Sequence, residues 1–361
     1  MIARIDWILL FAVALILSLG MVMVASATMA TNASLVIRHG AYLILGVSIC
    51  LAICLIPIAF WEKSHRMCFL LATFLCCLVL IPGIGVEVNG ARRWIGLPGF
   101  SLQASELSKL LIVVYVAGYL SRFRGDLRNS IWILLRLMFT IGIVSILLLA
   151  EPDFGSVVVI GAVATLMIFL AGARITHFLL LGLCAVIVIA TLVVAEPYRL
   201  ERLSSFYDPW AVAFGSGYQL TQALIAFGRG EIMGLGLGEG IQKLFYLPEA
   251  HNDFIFAVIA EELGLIGSMF LVALFALLVL RIMRLAKKSI DDRRFFNGYL
   301  AYGIALTIGI QALINFGVNT GVLPTKGLTL PFVSYGGNSL LICFAMLGLI
   351  MRIHLEDHAD G

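Results

Sequence analysis

Charged residues are scarce in this chain, at 12% of its 361 positions. A soluble domain carries about 25% charged residues, so this supply is too small to cover a water-facing surface. Hydrophobic residues reach 61%, and the mean hydropathy is +1.06. The apolar residues come in repeated runs of roughly 20, each long enough to cross ~30 Å of hydrocarbon. A soluble fold is therefore excluded, and the sequence predicts a polytopic membrane protein.

Cysteine offers neither a disulfide framework nor a metal site. The seven cysteines lie mostly inside apolar runs, and the adjacent pair Cys76-Cys77 is not a C-x-x-C motif. None stands at zinc-ligand spacing from a histidine, so we expect buried thiols. The net charge of +3 is too small to indicate nucleic-acid binding.

The apolar runs predict about ten membrane-spanning helices. Their approximate bounds are 5–27, 39–60, 67–83, 105–121, 131–149, 154–171, 175–195, 253–281, 296–319 and 333–352. With the N-terminus in the cytoplasm, the short basic loops fall inside and both termini are cytoplasmic. The first run is too long for a cleaved signal peptide and is expected to be the first helix. We therefore expect an all-α polytopic fold that forms a single integral membrane domain over 1–361.

Polar residues concentrate in the loops that this orientation places outside. The longest covers about 196–252, and shorter ones cover about 84–104 and 321–332. The long loop is Gly-rich from Gly228 to Gly238, but it lacks the preceding strand and the Gly-Lys-Ser/Thr ending of a phosphate loop. A nucleotide site is not indicated, and function is expected to face outward.

Asp253 is the strongest candidate for chemistry, because it stands where the long outer loop enters an apolar helix. The helix dipole favours a carboxylate there, so a helix cap, with Asn252 as an equal candidate, is one interpretation. The other is a general base or a cation ligand in an outward cavity. His251 and Glu249 are close enough in sequence to assist.

Other outer charges have both structural and functional interpretations. Glu106 and Lys109 are spaced as an ion pair on one helical face, or they line a cavity. Arg92-Arg93-Trp94 places two guanidiniums beside an indole. That set suits bidentate phosphate capture with a stacking surface, and an interfacial aromatic anchor is the alternative.

Two further outer segments combine polar residues with turn formers. Glu151 and Asp153 flank a proline between two predicted spans. This predicts a re-entrant turn, which a membrane tolerates only when it is buried in protein or lines a wet cavity. Lys326, in Pro-Thr-Lys-Gly, and the pair Ser334-Tyr335 suit contact with a phosphate and its sugars, with loop punctuation as the alternative.

Several polar residues lie inside the predicted spans. Glu261 and Glu262 are deep enough to need partners or protonation. Gln311, Asn315 and Asn319 share one helical face, and helix–helix hydrogen bonding is the default interpretation for them.

Five motifs, taken together, resemble those of a known family. They are Asn89–Ile95, Gln103–Lys109, Glu151–Gly155, Leu247–Phe256 and Leu323–Gly337. The chain is similar in these motifs and in their order to the SEDS family, the polytopic glycosyltransferases of bacterial wall synthesis. Pro-Glu-Ala-His-Asn-Asp and Pro-Thr-Lys-Gly look like the cell-division branch rather than the elongation branch. Asn252 and Asn338 depart from the commoner Thr and Ser.

The resemblance implies a peptidoglycan glycosyltransferase that polymerises lipid II by inverting transfer on the outer face of the bacterial cytoplasmic membrane, at the division septum. It implies that Asp253 is catalytic, and that a class B penicillin-binding protein of the FtsI type is a partner beside other division proteins. The expected substrate contacts are Arg92, Arg93, Trp94, Glu106, Lys109, Glu151, Asp153, His251, Lys326, Ser334 and Tyr335. A divalent cation, Mg²⁺ or Mn²⁺, suits the pyrophosphate leaving group, although no motif identifies a metal site.

Three other functions stay open: a lipid II flippase, an elongation-type polymerase and a scaffold for division proteins. A flippase needs polar residues continuous to the cytoplasmic side, whereas the distinctive ones here lie outward. A scaffold has no need of Arg92, Asp253 and Lys326 in three separate outer loops. Lipid-tailed substrates enter sideways, so we expect a movable wall near the seventh span and the long outer loop. Gly-rich backbone in that loop, from Gly228 to Gly240, lowers the cost of rearrangement.

Overall fold

The computed structural model is predominantly helical and describes residues 6–29, 32–88, 91–97, 100–128, 130–194, 205–325 and 327–357. The main helices are α1 (Trp7–Thr28), α2 (Ser34–Leu55), α3 (Ile58–Leu80), α4 (Ala104–Phe123), α5 (Ile131–Ala150), α6 (Phe154–Leu170), α7 (Ile175–Val194), α8 (Tyr218–Gly230), α9 (Ile255–Asp291), α10 (Phe295–Asn319) and α11 (Gly337–Asp357). Lys326, and the part of the long outer loop at 195–204, lie outside the described residues.

Eight of the described helices are long and apolar enough to cross a membrane. Two shorter apolar stretches, Phe154–Leu170 and Ile175–Cys184, add to them. With these two, the helices overlap the ten predicted spans, whose number and orientation stay predictions. The bounds of the second and third spans were wrong, because α2 and α3 start earlier and the predicted span 39–60 crosses the break between them at 56–57. Burial is uneven: α4 is packed on almost all sides, while α2 presents Ile37, Ile44 and Leu51 on an exposed face. Such an apolar face suits contact with lipid.

A three-stranded antiparallel sheet follows α3, and the sequence analysis did not anticipate it. Its strands are β1 (Gly85–Val88), β2 (Ala91–Leu97) and β3 (Phe100–Gln103), in the order β1-β2-β3. The register places Trp94 opposite both Val86 and Gln103. Strands of four to seven residues give only a weak period-two signal, which is easily missed between long apolar helices.

The long helix α9 is broken at Gly264, whose φ of 67° and ψ of −164° are not helical. The break separates an outer segment, residues 255–263, from the inner part of α9. We call 255–263 the outer segment of α9. Its residues from 255 to 262 are all buried. A positive φ of this kind is accessible to glycine at little cost, which explains why the break falls there.

Helix α8 and the Gly-rich stretch after it form a hairpin, residues 218–240, that lies against this break. Four backbone hydrogen bonds join the two: Leu235 N–H to Glu261 O (3.0 Å), Gly236 N–H to Glu262 O (3.0 Å), Leu265 N–H to Glu231 O (3.0 Å) and Ile266 N–H to Ile232 O (3.2 Å). A Cβ added at Gly264 would lie 2.3 Å from the backbone nitrogen of Gly234. Gly230 and Gly234 therefore serve close backbone packing against α9, whereas a Cβ at Gly228 or Gly238 would meet nothing within 4 Å.

Candidate active site

The two polar loops that enter helices at the outer side meet at Asp253. The backbone N–H of Tyr335 donates to the carbonyl of His251 at 2.9 Å. The hydroxyl of Ser334 donates to the carbonyl of Asn252 at 2.6 Å. The structure thus joins two segments about 80 residues apart in sequence, and it brings His251, Ser334 and Tyr335 together around the predicted catalytic acid.

Two asparagines of α10 hold the backbone at Asp253. The side-chain amide of Asn315 donates to the carbonyls of Asp253 (2.9 Å) and Leu328 (2.7 Å), and so ties both loops to one helix. The amide of Asn319 donates to the Asp253 carbonyl at 3.0 Å, and its Oδ1 accepts from the Ala257 N–H at 3.1 Å. The expected helix–helix hydrogen bond is present for Asn319, which accepts from Ala257 of α9, while the other bonds of this pair go to loop backbone. Both asparagines lie near the outer end of a predicted span, and that position could have indicated that they contact the outer loops.

Asp253 does not occupy the N-cap position of α9. That position is Phe254, whose side chain makes no capping bond. The Asp253 side chain is partly exposed, and a Cβ added at Gly327 would lie 2.7 Å from its Oδ2. The carboxylate therefore lies directly against the backbone of Gly327, and a side chain at that position would have to displace it.

Aromatic rings form a neutral wall beside this carboxylate. The ring of Tyr335 lies 5.6 Å from that of His251 and 6.0 Å from that of His39, between centroids. Burial lowers the pKa of His251 and outweighs the opposing charge of Glu249, so the imidazole is neutral at pH 7. Burial also raises the pKa of Tyr335, which keeps its hydroxyl protonated. Neutral donors and acceptors of this kind suit sugar hydroxyls.

The turn between α5 and α6 packs under the same loops. Asp153 caps α6, with Oδ1 accepting from the Ser156 N–H (3.2 Å) and Oδ2 from the Ser156 hydroxyl (2.8 Å). A Cβ on Gly155 would lie 3.2 Å from Leu328 Cδ2. Asp153 thus shapes the floor of the site through helix capping. The connection is tight, with Glu151 and Asp153 buried and Pro152 exposed, and its re-entrant character stays a prediction.

Glu151, in the same turn, is completely buried. Apart from the nearby thiol of Cys76, a weak donor, neither of its carboxyl oxygens has a hydrogen-bond partner among the described residues. Burial first, and the charge of Asp153 second, raise its pKa to about 8. The group is therefore protonated at neutral pH and does not face solvent in this conformation.

Glu151 predicts a pH-dependent stability. Its pKa rises from 4.5 to about 8 on folding, so its contribution to stability is complete below about pH 4.5 and is lost as pH rises toward 8. The melting temperature of the wild type in detergent should fall between about pH 5 and pH 8. Glu151→Gln should flatten that decline. Parallel melting curves for the two proteins would contradict the buried acid.

The arginines of β2 have different surroundings. Arg93 donates through Nε to the carbonyl of Glu151 (3.2 Å) and through Nη2 to that of Pro152 (2.6 Å), and so joins the sheet to the α5–α6 turn. Arg92 is exposed and pairs with Glu87 at 3.1 Å. Trp94, the next residue of β2, is partly buried. Phosphate binding by these residues stays a prediction.

Glu106 and Lys109 form the expected ion pair, with 2.8 Å between Nζ and Oε1. Lys109 is 1% exposed and Glu106 is 7% exposed. The pair lies on α4, the most enclosed helix, so both charges depend on each other for compensation. In this conformation neither side chain is open to a substrate.

Comparison with known proteins extends along the whole chain. A family model described as cell cycle protein, FTSW_RODA_SPOVE, matches residues 6–359. The chain is 49% identical over 360 residues to a probable peptidoglycan glycosyltransferase FtsW of Halomonas elongata, with 97% of this chain and 90% of that relative covered. It is 48% identical over 357 residues to a Coxiella burnetii protein of the same name, with 97% and 96% covered.

Two solved structures are similar in fold. One is a chain from a structure on the coordination of polymerization and crosslinking by a peptidoglycan synthase complex, with 30% identity, a TM-score of 0.83 and 99% of both chains covered. The other is the rod shape determining protein RodA of Thermus thermophilus, with 28% identity, a TM-score of 0.74 and 98% of both chains covered. The similarity therefore includes the outer loops as well as the helices.

Proposed function

The chain belongs to the family of cell cycle proteins that comprises FtsW, RodA and SpoVE, and from this membership we propose how its outer site works. It is a multi-pass membrane protein and a peptidoglycan glycosyltransferase. We propose that it polymerises lipid II into glycan strands, with Asp253 as the catalytic base. The observation that carries this proposal is the convergence of two outer loops on one partly exposed carboxylate.

In the proposed reaction the 4-hydroxyl of the acceptor sugar gives its proton to Asp253. The hydroxyl oxygen attacks the anomeric carbon of the donor sugar and forms the new glycosidic bond. The bond from that carbon to the pyrophosphate breaks, and undecaprenyl pyrophosphate leaves with the electron pair. Inversion follows from the single displacement. The asparagines of α10 hold the base in place for this step.

The wall beside the base supplies uncharged contacts. His251 and Tyr335 are both neutral at pH 7, so each can both donate and accept hydrogen bonds with sugar hydroxyls. Lys326, Arg92 and Arg93 remain the proposed contacts of the pyrophosphate and sugar. Their cationic groups suit an anionic linkage.

A divalent cation is compatible with the pyrophosphate leaving group, but the described residues provide no evident set of protein ligands for it. Among the described residues no three side chains of His, Cys, Asp or Glu stand together to hold an ion. The pyrophosphate of the substrate would have to supply most of the ligands for Mg²⁺ or Mn²⁺. No step of the proposed mechanism is routed through a metal.

The flippase alternative finds little support at the other end of the molecule. There Arg281 binds Asp6 through two nitrogens, Nη2 to Oδ1 at 2.8 Å and Nε to Oδ2 at 3.1 Å, and Arg294 binds Asp357 at 3.0 Å. These charges connect α9 to the start of α1, and the start of α10 to the end of α11. Charged groups that pair with each other between helix ends do not line a substrate path across the membrane.

We propose that the protein lies in the bacterial cytoplasmic membrane at the division septum, with ten spans and both termini in the cytoplasm. A reporter enzyme that is active only outside the cytoplasm should be active when inserted within 205–245 and silent when fused after Arg352. The reverse pattern would place Asp253 inside and contradict the proposed reaction.

A class B penicillin-binding protein of the FtsI type is the proposed partner, since a similar chain belongs to a peptidoglycan synthase complex. Substrates with lipid tails must enter between helices, and a bound partner can shift such an opening by a few kcal/mol. The purified chain should polymerise labelled lipid II slowly alone. Adding the partner should raise the rate at least about tenfold, equivalent to ~1.4 kcal/mol. Equal rates with and without it would contradict gating.

The same assay tests the proposed function. Glycan polymer should appear on a gel when the protein and its partner meet lipid II. Blocking the partner's transpeptidase serine with a β-lactam should leave polymerisation intact, because the two reactions use different chains. No polymer under any of these conditions would refute the glycosyltransferase mechanism.

A further inference from the structure

The far end of the outer segment of α9 holds a cluster of buried charges that the proposed reaction does not use. Glu261 and Glu262 end this segment, and both are completely buried. Asp253 stands just before its other end. A helix rises 1.5 Å per residue, so the acids lie about 12–14 Å from Asp253 along one short rigid rod.

Glu262 joins three parts of the chain. It forms an ion pair with Lys243, whose side chain is 5% exposed, and accepts from the Ser26 hydroxyl of α1 at 2.8 Å. Its Oε2 accepts from the Gly238 N–H at 3.0 Å. Lys243 completes the ring by donating to Ser26 Oγ at 2.7 Å. The end of the segment is therefore bound both to α1 and to the outer loop.

Glu261 binds the same loop at neighbouring points. Its carboxylate accepts from the N–H groups of Ile241 and Gln242, each at 3.1 Å. It also lies 3.4 Å from Arg229 Nε. A Cβ at Gly240 would come within 2.9 Å of this carboxylate, so the loop backbone closes directly over it. Two acids, two cations and several N–H groups leave little unsatisfied charge.

We propose that this cluster of Ser26, Arg229, Lys243, Glu261 and Glu262 is a positioning site that sets where Asp253 stands during glycosyl transfer. The inference rests on the proposed catalytic role of Asp253. The reason is mechanical. The outer segment of α9 is short, rigid and held at both ends, by Asn315 and Asn319 near Asp253 and by the cluster at the break.

Loss of the contacts at one end allows the outer segment of α9 to tilt or shift along its axis. Such a movement displaces Asp253 at the other end. A misplacement of about 1 Å can cost on the order of 10²-fold in rate. Substrate binding depends on other groups and should change little. A purely structural cluster would instead affect the amount of folded protein without changing turnover per folded molecule.

Glu262→Gln tests the proposal, because it leaves Lys243 without its acid. The kcat of lipid II polymerisation should fall at least about tenfold with the KM within about twofold. Hydrogen exchange of backbone amides in a peptide covering 249–258 should become faster. Glu239→Gln is the matched control, since Glu239 is exposed in the same loop, and it should change neither quantity.

Lys243→Met, alone and combined with Glu262→Gln, distinguishes a loss of positioning from simple misfolding of the Glu262→Gln variant. Removing both charges is less damaging than leaving one buried alone, so the double variant should have a kcat closer to wild type than either single variant. Wild-type kcat and wild-type exchange in Glu262→Gln would overturn the inference. So would a lower melting temperature with unchanged kcat per folded enzyme.

The exchange measurement separates this inference from the proposed function. If the wild type makes no polymer, the function fails, yet faster exchange at 249–258 in Glu262→Gln would still support the mechanical link. If the wild type is active and the variant matches it in both measurements, only the positioning role fails.

Discussion

Asp253→Asn should lower lipid II polymerisation at least 10²-fold, since general-base catalysis contributes typically about 10²–10⁴. Asparagine keeps the size of the side chain but cannot accept the proton of the attacking hydroxyl. The backbone carbonyl that Asn315 and Asn319 bind is unaffected by the change, so the loops should keep their arrangement. The measurement is the initial rate of polymer formation with the partner present.

The melting temperature of Asp253→Asn should stay near that of the wild type, which separates lost chemistry from lost folding. Asp253→Ala should be equally inactive. Glu239→Gln, an exposed acid elsewhere in the outer loop, should retain full activity. A near-normal rate for Asp253→Asn would show that the base is another group.

Lys109→Met should destabilise the protein by about 3–5 kcal/mol, because it leaves the buried Glu106 carboxylate without its partner. Methionine has nearly the same length as lysine, so the loss would come from the charge and not from a cavity. Thermal unfolding in detergent, together with the yield of folded protein, measures the effect.

The double variant Glu106→Gln, Lys109→Met decides between the two interpretations of this pair. If the pair is structural, neutralising both residues should restore most of the stability and the polymerase activity. If the pair also meets substrate when the protein opens, the double variant should be folded but slow. A single variant as stable as the wild type would mean that the Glu106 carboxylate is compensated by something other than Lys109.

Sequence reasoning located most of the candidate site because membranes make polar residues conspicuous. Asp253, His251 and Tyr335 stood out as polar residues at the mouths of apolar helices, and the structure places all three together. The ion pair of Glu106 and Lys109 followed from helical spacing alone. Local spacing is enough in these cases because the partners share one helix or one loop.

Long-range partners escaped the same reasoning. The two acids at the end of the outer segment of α9 were seen to need partners, but Ser26 and Lys243 are more than 200 residues and about 20 residues away. Asn315 was assigned to helix contacts, whereas it binds the backbone of two loops. Nothing in the sequence pattern of a side chain says which distant carbonyl it will meet.

The Gly-rich stretch also shows that composition does not reveal tertiary contacts. Its composition predicted ease of movement, yet Gly234 and Gly240 lie against α9 where a side chain has no room. Glycine permits both mobility and close packing. Only the neighbours decide which of the two is used. Four backbone hydrogen bonds hold part of this stretch to α9, and the movable wall stays a prediction.

The sequence by itself determined the class of protein, the approximate positions of the apolar helices and the polar loops between them, because each depends on local composition and on the length needed to cross a bilayer. The tertiary structure alone decided the break at Gly264, the small sheet after α3, and the two-ended support of the segment that carries Asp253. These depend on which backbone groups find partners across the chain, since a buried amide or carbonyl must be satisfied by whatever lies beside it.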